Sequence, residues 1–209
     1  SVSTITPAPS VTTPPASKSV CAGNNTTFTV VAAPAAGNTY QWQVSTDAGV
    51  TYTNLANAGV YSGVTTTTLT ITGATTSLSD NRYRVRVTGA CASPVNSAAA
   101  VLTVNTAAVI TTQPVNTTVC AGGGLTRASA TFTVAATGGG LTYQWQVSAD
   151  NGVTYTNITN NANYAGATTS TLTLSAVPAT FATNLYRVNV TSGGCTAVAS
   201  NSASVAVRP

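Results

Sequence analysis

The chain has 209 residues, of which 43% are hydrophobic and only 5% charged, and its net charge is +4. This composition can fill globular cores and excludes a disordered polyelectrolyte. No apolar run approaches the roughly 20 residues that a membrane helix needs, so we expect no membrane insertion. Since the sequence has neither an initiator Met nor a signal-peptide pattern, we expect a mature form or an excised piece of a longer protein.

The residue types that most enzyme sites need are absent from the sequence. The chain contains no histidine, no glutamate and no methionine. This excludes a Ser-His-Asp triad, a histidine metal site and a pair of catalytic glutamates. The four cysteines also lack the spacing of metal ligands. We therefore expect a protein that is not an enzyme and that has no cofactor and no metal.

An internal repeat organises the chain. Residues 40–52 (YQWQVSTDAGVTY) return almost unchanged as residues 143–155 (YQWQVSADNGVTY). A repeat of about a hundred residues has the size of one β-sandwich domain. We predict an N-terminal extension over 1–10, a first domain over 11–106 and a second over 107–209. The extension is rich in Ser, Thr and Pro, and we expect it to add a strand to a sheet edge of a neighbouring subunit.

Both repeats consist of short runs in which polar and apolar residues alternate, as in half-buried β-strands. No window keeps a helical period of 3.6 residues. Seven or so short strands per hundred residues predict an all-β sandwich. In repeat one the predicted runs are the strand that contains Trp42 and the segments 26–31, 50–54, 66–72, 82–88 and 98–104. In repeat two they are 130–135, 141–148, which contains Trp145, 153–157, 169–175, 185–191 and 203–207.

Two aromatic marks in each repeat favour an immunoglobulin-like sandwich. Such domains have a buried Trp on the third strand and a Tyr two residues before a cysteine position of strand F. Trp42 and Trp145 match the first mark, and Tyr83 and Tyr186 match the second. We assign all four to the structural core, because they lie on the inward phase of their strands. The alternative for the tryptophans is a platform on which a carbohydrate stacks.

Valines stand where the usual inter-sheet disulfide would be. Val85 lies two residues after Tyr83, and Val30 lies twelve residues before Trp42, where the partner cysteine is expected. We therefore expect apolar packing in place of that disulfide. Repeat two has the same arrangement, with Val134 and Val188.

The motifs Val-Cys-x-Gly, Thr-Phe-Thr-Val, Tyr-Gln-Trp-Gln, Ser-x-Asp-x-Gly and Tyr-Arg-Val together resemble the tandem Ig-like repeats of very large secreted bacterial surface proteins and adhesins. The resemblance covers nearly the whole chain apart from its first ten residues. It implies an all-β fold of two tandem immunoglobulin-like β-sandwich domains and an extracellular structural or adhesive module. Four cysteines in matched positions and a surface poor in charge favour the same oxidising, extracellular setting.

The segment Ser45-x-Asp47-x-Gly49-x-Thr51 recurs in repeat two and resembles the Asp-box of sialidase-type propellers. That resemblance implies a hairpin device without a catalytic role. We expect the aspartate to accept backbone N–H bonds across the turn and the glycine to supply a positive φ. One carboxylate per domain is too few for calcium, which takes six or more oxygen ligands.

Few residues offer a surface for a ligand. Arg82, Arg84 and Arg86 alternate along one face of a predicted strand, which is typical of a solvated face. We expect no nucleic-acid binding, because no aromatic residues interleave with these arginines. Tyr61 and Tyr164 recur at equivalent positions and are the best candidates for an exposed aromatic cluster, with a core role as the favoured alternative.

The cysteines carry the sharpest inference. Cys21 precedes strand B and Cys91 follows strand F, so an immunoglobulin topology separates them by about 20 Å or more. A disulfide needs Cα atoms within about 7 Å. An end-to-end tandem would instead bring Cys21 and Cys195 together and leave Cys91 and Cys120 at opposite poles, to pair between successive molecules or adjacent repeats. Pairing within each repeat, Cys21 with Cys91 and Cys120 with Cys195, remains the open alternative.

Two functional hypotheses follow from these observations. The first is an extracellular structural protein, a segment of a head-to-tail filament or cell-surface stalk whose partners are copies of itself or adjacent repeats. The alternative is an adhesin that binds cell-surface glycans with the loops at the sandwich ends. An ice-binding face on Thr65–Thr68 and Thr168–Thr171 is not favoured, because sandwich strands lack a long flat threonine ladder.

Overall fold

The computed structural model describes residues 7–90, 93–120 and 129–208. The chain divides into two compact units, Ser1–Asn105 and Thr106–Pro209, which we call domain 1 and domain 2. Each is a β-sandwich with a short 3-10 helix, Thr76–Leu78 in domain 1 and Ala179–Thr183 in domain 2. The predicted fold class, two tandem immunoglobulin-like β-sandwich domains, is confirmed.

Domain 1 packs a six-stranded sheet against a three-stranded one. The larger sheet has the order β2-β11-β9-β5-β6 with β10 beside β9, the smaller has the order β3-β8-β7, and β1 pairs with β4. The strands are β1 Ser10–Thr13, β2 Lys18–Cys21, β3 Thr26–Thr29, β4 Val31–Ala33, β5 Thr39–Ser45, β6 Thr53–Asn54, β7 Tyr61–Ser62, β8 Thr68–Ile71, β9 Arg82–Thr88, β10 Val95–Asn96 and β11 Ala100–Asn105.

Domain 2 repeats this topology. Its larger sheet has the order β13-β22-β20-β16-β17 with β21 beside β20, its smaller sheet has the order β14-β19-β18, and β12 pairs with β15. The strands are β12 Val109–Thr112, β13 Thr117–Cys120, β14 Ala130–Thr133, β15 Ala135–Thr137, β16 Thr142–Ser148, β17 Thr156–Asn157, β18 Tyr164–Ala165, β19 Thr171–Leu174, β20 Leu185–Thr191, β21 Val198–Ala199 and β22 Ala203–Arg208.

The core of domain 1 forms where the inward residues of the two sheets meet. In β9, buried residues alternate with exposed or half-buried ones, because successive side chains of a strand point to opposite faces. Phe28 of the smaller sheet stacks on Tyr83 of the larger one, with ring centroids 5.1 Å apart. Trp42 is fully buried and donates its indole N–H to the carbonyl of Thr66 at 2.9 Å.

The valines that replace the inter-sheet disulfide lie in these cores. Val30 and Val85 of domain 1 are 4% and 0% exposed, and both belong to one buried cluster. Val134 and Val188 of domain 2 are 6% and 0% exposed in the equivalent cluster. Each domain therefore holds its sheets together by apolar burial at this position, as the hydrophobic effect favours.

The strands differ from the predicted runs mainly at their ends. Of the run predicted over 50–54, only Thr53–Asn54 forms a strand. Val50 belongs to the preceding turn and is 81% exposed. The extension predicted over 1–10 is shorter than expected, since Ser10 begins β1 and pairs with Ala33. Pro9 is buried. Residues 1–6, on which the predicted docking of the extension depends, lie outside the described residues.

We predict that Phe28→Ala lowers the free energy of unfolding by about 3–5 kcal/mol, because it removes the ring that stacks on Tyr83 and leaves a cavity. Val50→Ala is the matched control, and on its exposed turn it should change stability by less than about 0.5 kcal/mol. Urea unfolding followed by circular dichroism measures both variants. Equal effects of the two substitutions would contradict the assigned core.

Candidate functional site

A parallel strand pair places a cysteine at one end of each domain. In domain 1, β2 runs parallel to the last strand, β11, and the register puts Cys21 opposite Asn105. The amide N–H of Ala22 donates to the carbonyl of Asn105 at 2.8 Å, which closes this corner. In domain 2, β13 runs parallel to β22 and puts Cys120 opposite Arg208. Each of these cysteines therefore lies where the last strand of its domain ends.

The other cysteine of domain 2 lies in the hairpin between β20 and β21. The amide N–H of Cys195 donates to the carbonyl of Ser192 at 2.8 Å, and the Ser192 hydroxyl donates to the carbonyl of Gly139 at 2.7 Å. Gly138 approaches Ala108 so closely that a Cβ atom there would lie 3.3 Å from the Ala108 Cα atom. The start of domain 2 and its Cys195 hairpin therefore share one end of the sandwich.

Domain 1 begins at its equivalent hairpin, between β9 and β10. A Cβ atom added to Gly89, just after β9, would lie 3.0 Å from a ring carbon of Pro9, just before β1. The N-terminal strand of domain 1 therefore starts beside the connection between β9 and β10. Cys91 comes two residues after Gly89 in sequence and lies outside the described residues.

The cysteines differ in their oxidation state. Cys21 and Cys195 are each disulfide-bonded, whereas Cys120 is an exposed free thiol. Cys120 and Cys195 therefore do not pair with each other, in contrast to the within-repeat alternative that the sequence left open for domain 2. The distance between Cys120 and Cys195 explains this result. Cys120 lies opposite the end of β22, whereas Cys195 comes before the start of β22. Strand β22 alone spans roughly 17 Å.

The predicted turn device is confirmed in both domains. In domain 1 the Thr51 amide N–H donates to the Asp47 carboxylate at 2.9 Å, and the Ser45 hydroxyl donates to the same carboxylate at 2.7 Å. Gly49 has a φ of 94°, and its N–H donates to the Ser45 hydroxyl at 2.8 Å. The aspartate thus acts as a local acceptor for the turn.

These hydrogen bonds lower the pKa of the two turn aspartates. The Thr51 hydroxyl, the Ser45 hydroxyl and the Thr51 amide hold the pKa of Asp47 well below its ordinary value. The Thr154 hydroxyl, followed by the Thr154 amide, lowers the pKa of Asp150 from 3.8 to about 2. In both cases the donors stabilise the ionised carboxylate.

On the outer face of each larger sheet, an arginine guanidinium stacks on a tyrosine ring. The Arg84 guanidinium lies 3.8 Å from the centroid of the Tyr52 ring, and its Nε donates to Gln43 Oε1 at 2.8 Å. In domain 2, Arg187 lies 3.7 Å from the Tyr155 ring. The sequence did not predict this contact, because Tyr52 and Arg84 are far apart in the chain. Their recurrence in both repeats was the only signal.

In each domain the two aromatic core residues and the one candidate surface tyrosine lie together. Trp42 and Tyr83 are 0% exposed, as are Trp145 and Tyr186. Tyr61 is half-buried, and its hydroxyl lies 3.1 Å from that of Tyr83. Tyr164 makes the equivalent contact in domain 2. These rings therefore pack into or against the hydrophobic cores of the sandwiches.

The described parts of the chain show neither a metal-ligand cluster nor a membrane helix. No three His, Cys, Asp or Glu side chains come together within 7–90, 93–120 and 129–208. Within the same ranges, no helix has the length and apolar character needed to cross a bilayer. The turn aspartates are accordingly single carboxylates that bind their own backbone.

The sequence matches one domain family twice, over residues 11–106 and 109–209. This family is described as a domain of unknown function (DUF8696). No match was found among curated proteins.

Several solved structures share the fold. An I-band fragment of titin has a TM-score of 0.58 at 15% identity, over 97% of this chain and 66% of that one. Extracellular domains 3–5 of Drosophila OTK have a TM-score of 0.57 at 13% identity, over 96% and 62%. Immunoglobulin domains 1–4 of Sidekick-1 have a TM-score of 0.56 at 18% identity, over 97% and 49%. The chain spans less than two thirds of each, and at this identity the similarity shows the fold alone.

We predict that the double variant Asp47→Asn/Asp150→Asn loses less folding stability on acidification than the wild-type protein does. A carboxylate with a lowered folded pKa stabilises the fold above its unfolded pKa, and this gain is lost as the pH falls through the folded pKa. For Asp150 the window runs from pH 3.8 down to about 2. Urea midpoints at several pH values measure the effect.

Thr159→Val is the control for this prediction, because Thr159 is exposed and lies outside the hydrogen-bonded turn from Ser148 to Thr154. This variant should keep the wild-type loss of stability on acidification. If the double variant loses as much stability on acidification as the wild-type protein, the aspartates do not stabilise the turns.

Proposed function

This chain belongs to the DUF8696 family, and we propose that it is an extracellular structural protein. In this proposal it forms a segment of a head-to-tail filament or cell-surface stalk of Ig-like domains. Disulfides link successive domains, and the partners are copies of the chain or adjacent repeats of the same polypeptide. The resemblance to repeats of large secreted bacterial surface proteins supports the extracellular setting.

The observation that carries the proposal is the placement of the cysteines relative to where the chain enters and leaves each domain. Domain 1 ends at Asn105, opposite Cys21. Ala108, near the start of domain 2, lies at the end that carries the Cys195 hairpin. A connection of three residue steps can separate the Cα atoms of Asn105 and Ala108 by at most about 11 Å. We therefore pair Cys21 with Cys195, and the oxidised state of both residues supports this pairing.

The same relation between cysteines and chain direction applies at the end of domain 2 and at the start of domain 1. Domain 2 ends beside Cys120, whose thiol is exposed and free. Domain 1 starts beside the connection between β9 and β10, in which Cys91 lies in sequence. If a second copy or a further repeat follows domain 2 in the same way, its Cys91 equivalent meets Cys120. Because this contact joins two different surfaces, it does not close on itself and produces a linear assembly.

The surface composition suits a structural role. Only 5% of the residues are charged, and Asp47 and Asp150 bind their own turns. Hydrogen bonds and apolar packing that depend little on ionic strength therefore hold each domain together.

The alternative is an adhesin that binds glycans with the loops at the sandwich ends. Sugar binding by loops commonly relies on an exposed aromatic ring, whereas Trp42, Tyr61 and Tyr83 and their counterparts in domain 2 pack against the cores of their domains. The structural hypothesis is favoured for this reason.

We predict that disulfide mapping of native, unreduced protein by mass spectrometry finds Cys21 linked to Cys195 and Cys91 linked to Cys120. A non-reducing gel should show a ladder of multimers that dithiothreitol collapses to one band. Cys120→Ser should abolish the ladder and keep the Cys21–Cys195 peptide, because only the outer linkage is removed.

Cys21 linked to Cys91 and Cys120 linked to Cys195, with a single monomer band, would exclude the proposed linkage. Each domain would then close its own disulfide, and the search for function would move to the loops and a glycan ligand.

A further inference from the structure

Domain 1 carries a row of three arginines on the outer surface of its larger sheet. Arg82, Arg84 and Arg86 alternate along β9 with residues that are fully buried, so all three lie on the solvent side. Residues two apart in a strand are separated by about 7 Å on the same face. We call this row the arginine face.

The strands beside β9 place no carboxylate opposite these arginines. The Cα partners of the arginines are all uncharged: Ser45, Gln43 and Gln41 on β5, Val101 on β11 and Asn96 on β10.

The two aspartates of domain 1 lie towards one end of the row. Asp80 precedes Arg82 by two residues, and the Asp47 carboxylate is already bonded to Thr51 and Ser45. The uncompensated positive charge is therefore concentrated at Arg84 and Arg86.

The fold itself does not require the outer two arginines. Domain 2 forms the same strand, β20, with Leu185 and Asn189 at the equivalent positions, and keeps only the middle arginine as Arg187. Like charges on one sheet face repel each other. Arg82 and Arg86 each add a positive charge about 7 Å from Arg84 that the strand of domain 2 does without, which is expected if they serve a ligand.

The middle arginine is held in place before any ligand arrives. Its guanidinium stacks on Tyr52, and its Nε donates to Gln43. This arrangement leaves the terminal nitrogens for the two-pronged hydrogen bonding that guanidinium groups make with carboxylate or sulfate. Fixing the side chain in advance lowers the entropy cost of binding.

We propose that the arginine face of domain 1 binds an acidic polysaccharide. Asn96 flanks Arg86 with an amide group that can exchange hydrogen bonds with sugar hydroxyls. Gln41, opposite Arg86, donates its amide N–H groups to Trp42 and Leu55 and can accept from a sugar through its amide oxygen, while the guanidinium groups meet the acidic groups of successive sugars. This binding is independent of the disulfide linkage and gives the proposed filament or stalk a partner along its side.

Other polyanions and partners fit this face less well. Single-stranded nucleic acid gains affinity by stacking bases on aromatic rings, and Arg84 covers the Tyr52 ring. Protein hot spots need a buried apolar anchor, and Val101, the apolar member of the register on this face, is already half-buried. A sheet face made of amides and guanidinium groups matches a hydrated, acidic sugar chain.

The test is retention of the folded, full chain on immobilised polygalacturonate at an ionic strength of about 10 mM, where screening is weak. Neutral dextran and duplex DNA are the comparison matrices. Arg82→Gln/Arg86→Gln should bind polygalacturonate about tenfold more weakly, at up to about fivefold for each exposed ion pair. Arg187→Gln/Arg208→Gln removes the same charge from domain 2 and should leave binding nearly unchanged.

A gain-of-function variant makes the test independent of the stability of domain 1. Leu185→Arg/Asn189→Arg rebuilds the row in domain 2 and should strengthen binding to polygalacturonate, because it creates a second site. Equal weakening by the two Arg→Gln pairs, or no gain in the rebuilt domain, would overturn the proposal. Absence of retention, equal retention on dextran, or tighter binding to duplex DNA would overturn it as well.

Discussion

The parallel pairing of β2 with β11, and of β13 with β22, is the constraint on which the structure and its proposed use depend. A strand near the start of each domain lies beside the last strand of that domain and runs in the same direction. It therefore carries its cysteine to the end at which the chain leaves. Without this pairing, Cys21 and Cys120 would have no fixed relation to the exits of their domains, and the polarity of a head-to-tail chain would not follow.

Side-chain hydrogen bonds support the larger sheet around the place where buried valines replace the disulfide that usually crosses an immunoglobulin sandwich. Gln41 donates to the carbonyls of Trp42 and Leu55, both at 2.9 Å, and ties the tryptophan strand to the next loop. Ser97 accepts the N–H of Val85 at 3.0 Å at the position where the sheet lacks its cysteine. Domain 2 repeats both contacts with Gln144 and Ser200. Buried polar groups with satisfied partners define one arrangement of the core.

Periodicity and repetition predicted much of the fold. The strand over 82–88 and the inward phase of Trp42 follow from alternation, because one face of each strand is buried. The Asp47 turn follows from local chemistry between residues close in sequence. In contrast, β2 was not predicted as a strand, because a pairing with the distant β11 defines it.

Contacts between distant residues explain what the sequence did not predict at the candidate site. The stacking of Arg84 on Tyr52 depends on the register of β9 and β5, which no local pattern specifies. The alternation of the arginines alone therefore predicted only a solvated face. The comparison with Leu185 and Asn189 of domain 2 separates the arginine that the fold uses from those that it does not need.

The most direct test of head-to-tail polarity mixes two variants that each keep one outer cysteine. Cys91→Ser retains Cys120, and Cys120→Ser retains Cys91. The account predicts that each variant alone stays monomeric under mild oxidation and that the equimolar mixture forms covalent dimers that stop at two subunits. Efficient dimerisation of either variant alone, or no dimers in the mixture, would contradict it, because like ends would then pair or the two ends would not meet.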